Sequence, residues 1–243
     1  FGVIGVNGPA GRGLLPITTG QFNDPTAFDQ VGKVGLGDIE LSSDGKFLFV
    51  MNLFDRHLYR LELDNAQNPQ SVIAVTDYLL PAVQVNNGVL RPFGLAFHRN
   101  KVYIGAVASG ENGGQNIING ATDLYAFVFE MTDPTGAASI NPSPILTFPL
   151  NYKKGYVVGG VAGYDQWYPW NNNTANLLQL SEETLPGPML SDIEFTDRGD
   201  MILDFCDRSG HQFAGNSRQD LAGMAMVGSY DVGGDILIAG LDC

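Results

Sequence analysis

The sequence predicts an all-β chain, built as a β-propeller of four-stranded blades and incomplete within its 243 residues. Three observations predict it: a hairpin-sized segment that recurs along the chain, apolar residues that alternate or run in short blocks, and turn residues that punctuate those blocks throughout. Gly occurs 31 times and Pro 13 times, while apolar residues make up 44% and charged ones only 16%, a balance that suits short strands joined by many turns.

The recurrence is the strongest of the three. GDIELSSDGKFLFVMNLFDRHLYRLEL at 37–63 returns as SDIEFTDRGDMILDFCDRSGHQ at 191–212. In each, a strand containing Asp-Ile-Glu enters a polar turn ending in Gly45 or Gly199, then an apolar strand, then Asp55-Arg56 or Asp207-Arg208. A weaker copy, RPFGLAFHRNKVYIGAVASGE at 91–111, has Pro92-Phe93-Gly94 at the acidic start and Asn100 in the turn. Small twisted sheets of this kind expose apolar faces that only neighbouring sheets can cover, so the repeat predicts stacking about an axis.

Taken in order, FGVIGV at 1–6 belongs to a remnant of a preceding blade spanning 1–30. The first blade covers about 37–80 and is completed by HLYRLEL and SVIAVTD; the second covers about 91–150 and is completed by DLYAFVFE and PILTFPL. A long rim loop follows at 151–176, and a third blade at about 189–240 ends with AGMAMVGSY and GGDILIAG. Only 177–185 reads as a helical turn, because the apolar pattern elsewhere lacks helical period. Closed propellers carry about four to eight blades, so the ring is expected to be completed by more polypeptide or by neighbouring subunits.

Thirteen basic against 26 acidic residues give a net charge of −13, which repels nucleic acid, and Lys153-Lys154 is the only basic pair. No window approaches the roughly 18 apolar residues of a membrane-spanning helix. The acidic surface suits solubility and also suits calcium, a hard cation that takes oxygen ligands. Cys206 and Cys243 are too few for a disulfide framework, and their pairing is left open.

Asp38, Glu40, Asp192 and Glu194 are the candidate metal ligands. Alternation places each Asp and Glu on one face of an innermost strand, so carboxylates from separate blades can meet at the channel mouth. The alternative is structural: each Asp accepts hydrogen bonds from a neighbouring blade's backbone, a device that recurs as readily as the repeat itself. Asp55-Arg56 and Asp207-Arg208 read as turn and ion-pair devices.

Tyr164, Trp167, Tyr168 and Trp170 in GYDQWYPWNNNT are the candidates for gripping a glycan or protein partner, since aromatics beside amides stack on sugar rings. The alternative is a loop that packs these rings back onto the fold, stiffened by Pro169. Asn172-Asn173-Thr174 matches a glycosylation acceptor, a triplet common by chance. His57, His98 and His211 lack zinc-hydrolase spacing; GVNGPAGRG at 5–13 lacks the Lys-Ser/Thr end of a phosphate loop, and no GxSxG elbow is present.

These segments, VGLGDIELSSDGKFLFVMNLFDRHLYRLEL, RPFGLAFHRNKVYIGAV, WYPW and PMLSDIEFTDRGDMILDFCDRSGHQ, together resemble the propeller region of large bacterial secreted and cell-surface proteins. Those proteins often continue into immunoglobulin-like or collagen-binding-type repeat domains. The resemblance covers most of the chain from about residue 31 and implies a surface location with a role in adhesion or in matrix or filament assembly. It brings no catalytic residues. The expectation is therefore a non-enzymatic extracellular module that binds a protein, a glycan or neighbouring subunits. The alternative is a lactonase- or esterase-like hydrolase with a channel-mouth metal held by Asp38, Asp192 and Asn52, although Cys206 replaces Asn52 in the third copy.

Overall fold

Polar turns with left-handed residues divide the chain into hairpins. A computed structural model describes residues 29–113, 123–155, 165–172, 185–212 and 233–240. β1 (Leu36–Leu41), β2 (Phe47–Asn52), β3 (His57–Leu63) and β4 (Val72–Leu79) form an antiparallel sheet in that order. Between β1 and β2, the Ser42 N–H bonds the Phe47 carbonyl at 2.8 Å and Gly45 takes φ 71°. A side chain there would need the left-handed conformation that glycine adopts without cost. Asp55 accepts from the His57 N–H at 3.0 Å and so sets the turn into β3, with Arg56 at φ 63°.

β5 (Leu90–His98), β6 (Lys101–Ala108), β7 (Tyr125–Thr132), β8 (Ser139–Ile140) and β9 (Leu146–Pro149) make the second sheet. A single fourth strand was expected here, but the edge is in two pieces, both paired with β7. Pro142 and Pro144 between them have no N–H to offer a ladder. Asn141 and Ile145 each donate to β7 carbonyls at 2.8 Å, and the ladder is interrupted between those two bonds.

The third sheet contains β10 (Pro188–Phe195), β11 (Met201–Asp207) and β12 (Asp235–Ala239). Its β10–β11 turn repeats the first: the Thr196 N–H bonds the Asp200 carbonyl at 2.9 Å and Gly199 sits at φ 95°. After β11 the sequence reads as a turn, yet the chain makes a short helix, α1 (Arg208–Gln212). Asp207 caps it by accepting from the Ser209 N–H at 2.8 Å, the same two-residue step that Asp55 makes to His57. FGVIGV, all but the last residue of the helical turn expected at 177–185, AGMAMVGSY and Cys243 lie outside the described residues.

Among the described residues the all-β expectation holds as three open antiparallel sheets. The second is packed on both faces. One face joins the first sheet in a core that includes Phe49, Met51, Leu58, Leu95, Ile104 and Phe129; the other joins the third through Val128, Leu190, Ile193, Leu203 and Phe205. The first strands of the sheets, β1, β5 and β10, pack against one another. Each carries a register shift at the same place in the repeat, between Leu36 and Ile39, Pro92 and Leu95, and Leu190 and Asp192. At that bulge the backbones nearly touch: a Cβ on Gly37 would lie 2.9 Å from the Phe93 carbonyl oxygen, and one on Gly94 2.7 Å from the Asp192 nitrogen.

Among the described residues no helix is long and apolar enough to cross a membrane.

Candidate functional site

The bulge turns the Asp of each Asp-Ile-Glu toward backbone amides. Asp38 accepts from its neighbour Ile39 N–H at 2.7 Å through Oδ1 and from the Leu95 N–H of the second sheet at 2.9 Å through Oδ2. Asp192 repeats the first of these contacts, accepting from the Ile193 N–H at 2.7 Å. Asp38 thus ties two sheets together in the manner of the structural alternative, with both oxygens engaged.

The four carboxylates nevertheless share one neighbourhood. Burial raises the pKa of Asp38, and the charges of Asp192 and Glu194 add to the rise while the Leu95 and Ile39 amides oppose it. Glu40 is pushed up to about 7, first by burial and then by Asp38, Glu194 and Asp192, with the Phe97 N–H pulling the other way. Near neutral pH the cluster can therefore hold a proton at Glu40. Among the described residues no three His, Cys, Asp or Glu side chains gather as a metal-holding group. Asn52, the third ligand of the hydrolase alternative, is committed to a turn: its amide nitrogen donates to Asp55 at 3.0 Å and its oxygen accepts from the Phe54 N–H at 3.1 Å.

The aromatic segment lies inside. Trp167, Tyr168 and Trp170 are buried, so their rings offer no open face for a sugar; Tyr164 lies outside the described residues. Trp167 donates from Nε1 to the Tyr152 hydroxyl at 3.1 Å and packs on Phe205, while Trp170 donates to the Pro188 carbonyl at 2.7 Å. These are contacts of a strap packed across the third sheet.

Arg208 fastens that strap and is a residue whose importance the sequence concealed. It was expected to pair within a turn, but it is 1% exposed and donates to four oxygens: the carbonyls of Val31, Asn171 and Asp29 and the Asn172 side chain, at 2.9 to 3.1 Å. Its guanidinium also lies 4.9 Å from the centre of the Trp170 ring. Burial lowers its pKa to about 10, a value at which it still carries its charge at neutral pH. The neighbouring Asp207 carboxyl is pushed up to about 7 by burial, and its Oδ2 has no partner among the described residues. The only signal in the sequence was that Asp-Arg recurs in the repeat; Arg56 occupies the matching place in an exposed turn.

Comparison of the chain with protein-family models, with curated proteins and with solved structures returns no match.

Proposed function

We propose that this chain is a section of a β-propeller that serves as a non-enzymatic binding and assembly module on an extracellular surface, completed by association with neighbouring subunits. The observation that carries the reading is the outer face of the first sheet. Ile39, Leu41, Ile73, Val75 and Leu79 point away from the second sheet and stay exposed, forming an apolar face where the equivalent face of the second sheet is packed. Such a face marks an interaction surface. The third sheet adds a supporting detail: Asp38 uses its second oxygen to cap the next sheet, whereas the second oxygen of Asp192 has no partner among the described residues. A further sheet placed there would supply one.

The test is self-association of the purified chain, measured by light scattering after size-exclusion chromatography. Val75→Asp places an unpaired carboxylate on the outer face and should weaken association at least about tenfold with an unchanged circular dichroism spectrum. A wild-type chain that stays monomeric at high concentration sinks the assembly reading.

A further inference from the structure

The three sheets stack in one direction, and that direction shows what their two open faces fit. Each inner strand presents alternate residues to opposite faces. In β1, Asp38 and Glu40 face the second sheet. Asp38 accepts from the Leu95 N–H at 2.9 Å, and Glu40 is paired across the strands with Phe49, whose ring stacks on Phe97 at 6.0 Å. The second sheet therefore meets the Asp38–Glu40 face with Leu95 and Phe97. Its reverse face, with Gly94 and Ala96 at the places of Asp38 and Glu40, is met by Ile193 and Phe195 of the third sheet. His98, on that same face, stacks on Phe195 at 4.2 Å. Both contacts seat the apolar pair of one inner strand on the opposite kind of face of the strand before it.

Among the described residues this series has one unused face at each end. In the third sheet Asp192 is paired with Asp204 and Glu194 with Ile202, and the same rows continue to Ile236 and Ile238 of β12. These two isoleucines are 66% and 68% exposed, while Leu237 between them packs toward the second sheet. The face that bears Asp192 and Glu194 is thus the counterpart of the one that buries Asp38 and Glu40. At the other end, Ile39 and Leu41 hold the places of Leu95 and Phe97 and are exposed. Leu41 continues across all four strands through Leu48 and Leu61 to Val75, an apolar row on the outer face of the first sheet.

From these two complementary ends we propose that the outer face of the third sheet seats on the outer face of the first sheet of a second copy of this chain, head to tail. The contact continues the one that already joins the sheets within a chain. It rests on the assembly reading above and names the partner surface for it. Charge selects this pairing over its alternatives. Two third-sheet faces would set Asp192, Glu194 and Asp204 against their own copies, and like charges brought together oppose association. The first sheet's face instead offers its apolar row, and its Asp77 carboxylate is held by His57 at 2.7 Å. Because the two surfaces differ and every chain carries both, the contact closes into a ring or grows into a filament.

The experiment is a complementation between two variants of the intact chain, with masses read by light scattering after size-exclusion chromatography. Val75→Asp blocks the first sheet's face and Ile238→Asp blocks the third's. Each variant alone should associate at least about tenfold more weakly than the wild type, with an unchanged circular dichroism spectrum. Their equimolar mixture should form a complex of twice the single-chain mass, because it brings one intact third-sheet face to one intact first-sheet face. Ile236→Asp, on the same face, takes the place of Ile238→Asp if that variant loses its spectrum. Two outcomes overturn the head-to-tail contact and leave the assembly reading standing: an Ile238→Asp chain that associates as the wild type does while Val75→Asp does not, or a mixture that stays monomeric while the wild type associates. A monomeric wild type, or a Val75→Asp chain that associates as the wild type does, overturns both.

Discussion

Replacing Glu40 with glutamine removes a charge that burial and its carboxylate neighbours both disfavour. Burial first, and then the charges of Asp38, Glu194 and Asp192, push the Glu40 pKa up from 4.5 to about 7. A folded pKa above the unfolded one means that the folded chain binds more protons between those two values. The contribution to stability is therefore fully present below about pH 4.5 and is lost as pH rises through about 7. At about 1.4 kcal/mol per pH unit the full shift corresponds to about 3 kcal/mol, and solvent screening of this incompletely buried group reduces it to about 1–2 kcal/mol. Glu40→Gln copies the protonated form and still presents an oxygen to the Phe97 N–H. It should match the wild type near pH 4.5 and be about 1–2 kcal/mol more stable at pH 8. Urea unfolding followed by the fluorescence of the buried Trp167 and Trp170 measures this across the range. Parallel stability curves for the two proteins between pH 5 and 8, or a variant less stable at pH 8, would refute the reasoning. Asp207, pushed up to about 7 by burial, loses stability in the same direction in both proteins and cancels from the difference.

Two further substitutions probe the contacts between sheets. Gly94→Ala sets a Cβ 2.7 Å from the Asp192 backbone nitrogen and should destabilise by about 1–3 kcal/mol. Gly105→Ala, whose Cβ meets the Leu190 and Ile193 side chains and no backbone, should cost clearly less in the same unfolding assay, and equal costs would argue against the close backbone approach. Arg208→Lys keeps the charge but not the planar fork that reaches three carbonyls and an amide oxygen, so it should lose about 2–4 kcal/mol and shift the Trp170 emission. Retained stability in Arg208→Lys would mean that charge alone holds the strap.

The aromatic strap shows where sequence reasoning reaches its limit. Tyr and Trp beside Asn and Pro look the same whether they face solvent or a sheet, and the deciding contacts come from far away in the chain. Arg208, which fastens the strap, reaches the carbonyls of Val31 and Asp29 across 177 and 179 residues. The carboxylate cluster was legible further: the repeat identified Asp38, Glu40, Asp192 and Glu194, and alternation put each pair on one face. It left open whether those groups cap amides or converge on a metal; Asp38 and Asp192 accept from backbone amides, and the charges of the four lie near enough to act on one another.

The sequence by itself determined the local grammar of this protein. Strand alternation, the Ser42–Gly45 and Thr196–Gly199 turns, and the Asp55 and Asp207 turn bonds all join residues a few positions apart, so their physics is contained in short segments. Tertiary structure alone decided the rest: the Asp38 bond to Leu95 across 57 residues, the burial that pushes Glu40 to about 7, and the split edge strand after β7. Each of these depends on which sheet face meets which, and on how much water that meeting excludes. Desolvation and repulsion act through space, and a linear pattern of residues carries no record of the distances that set them.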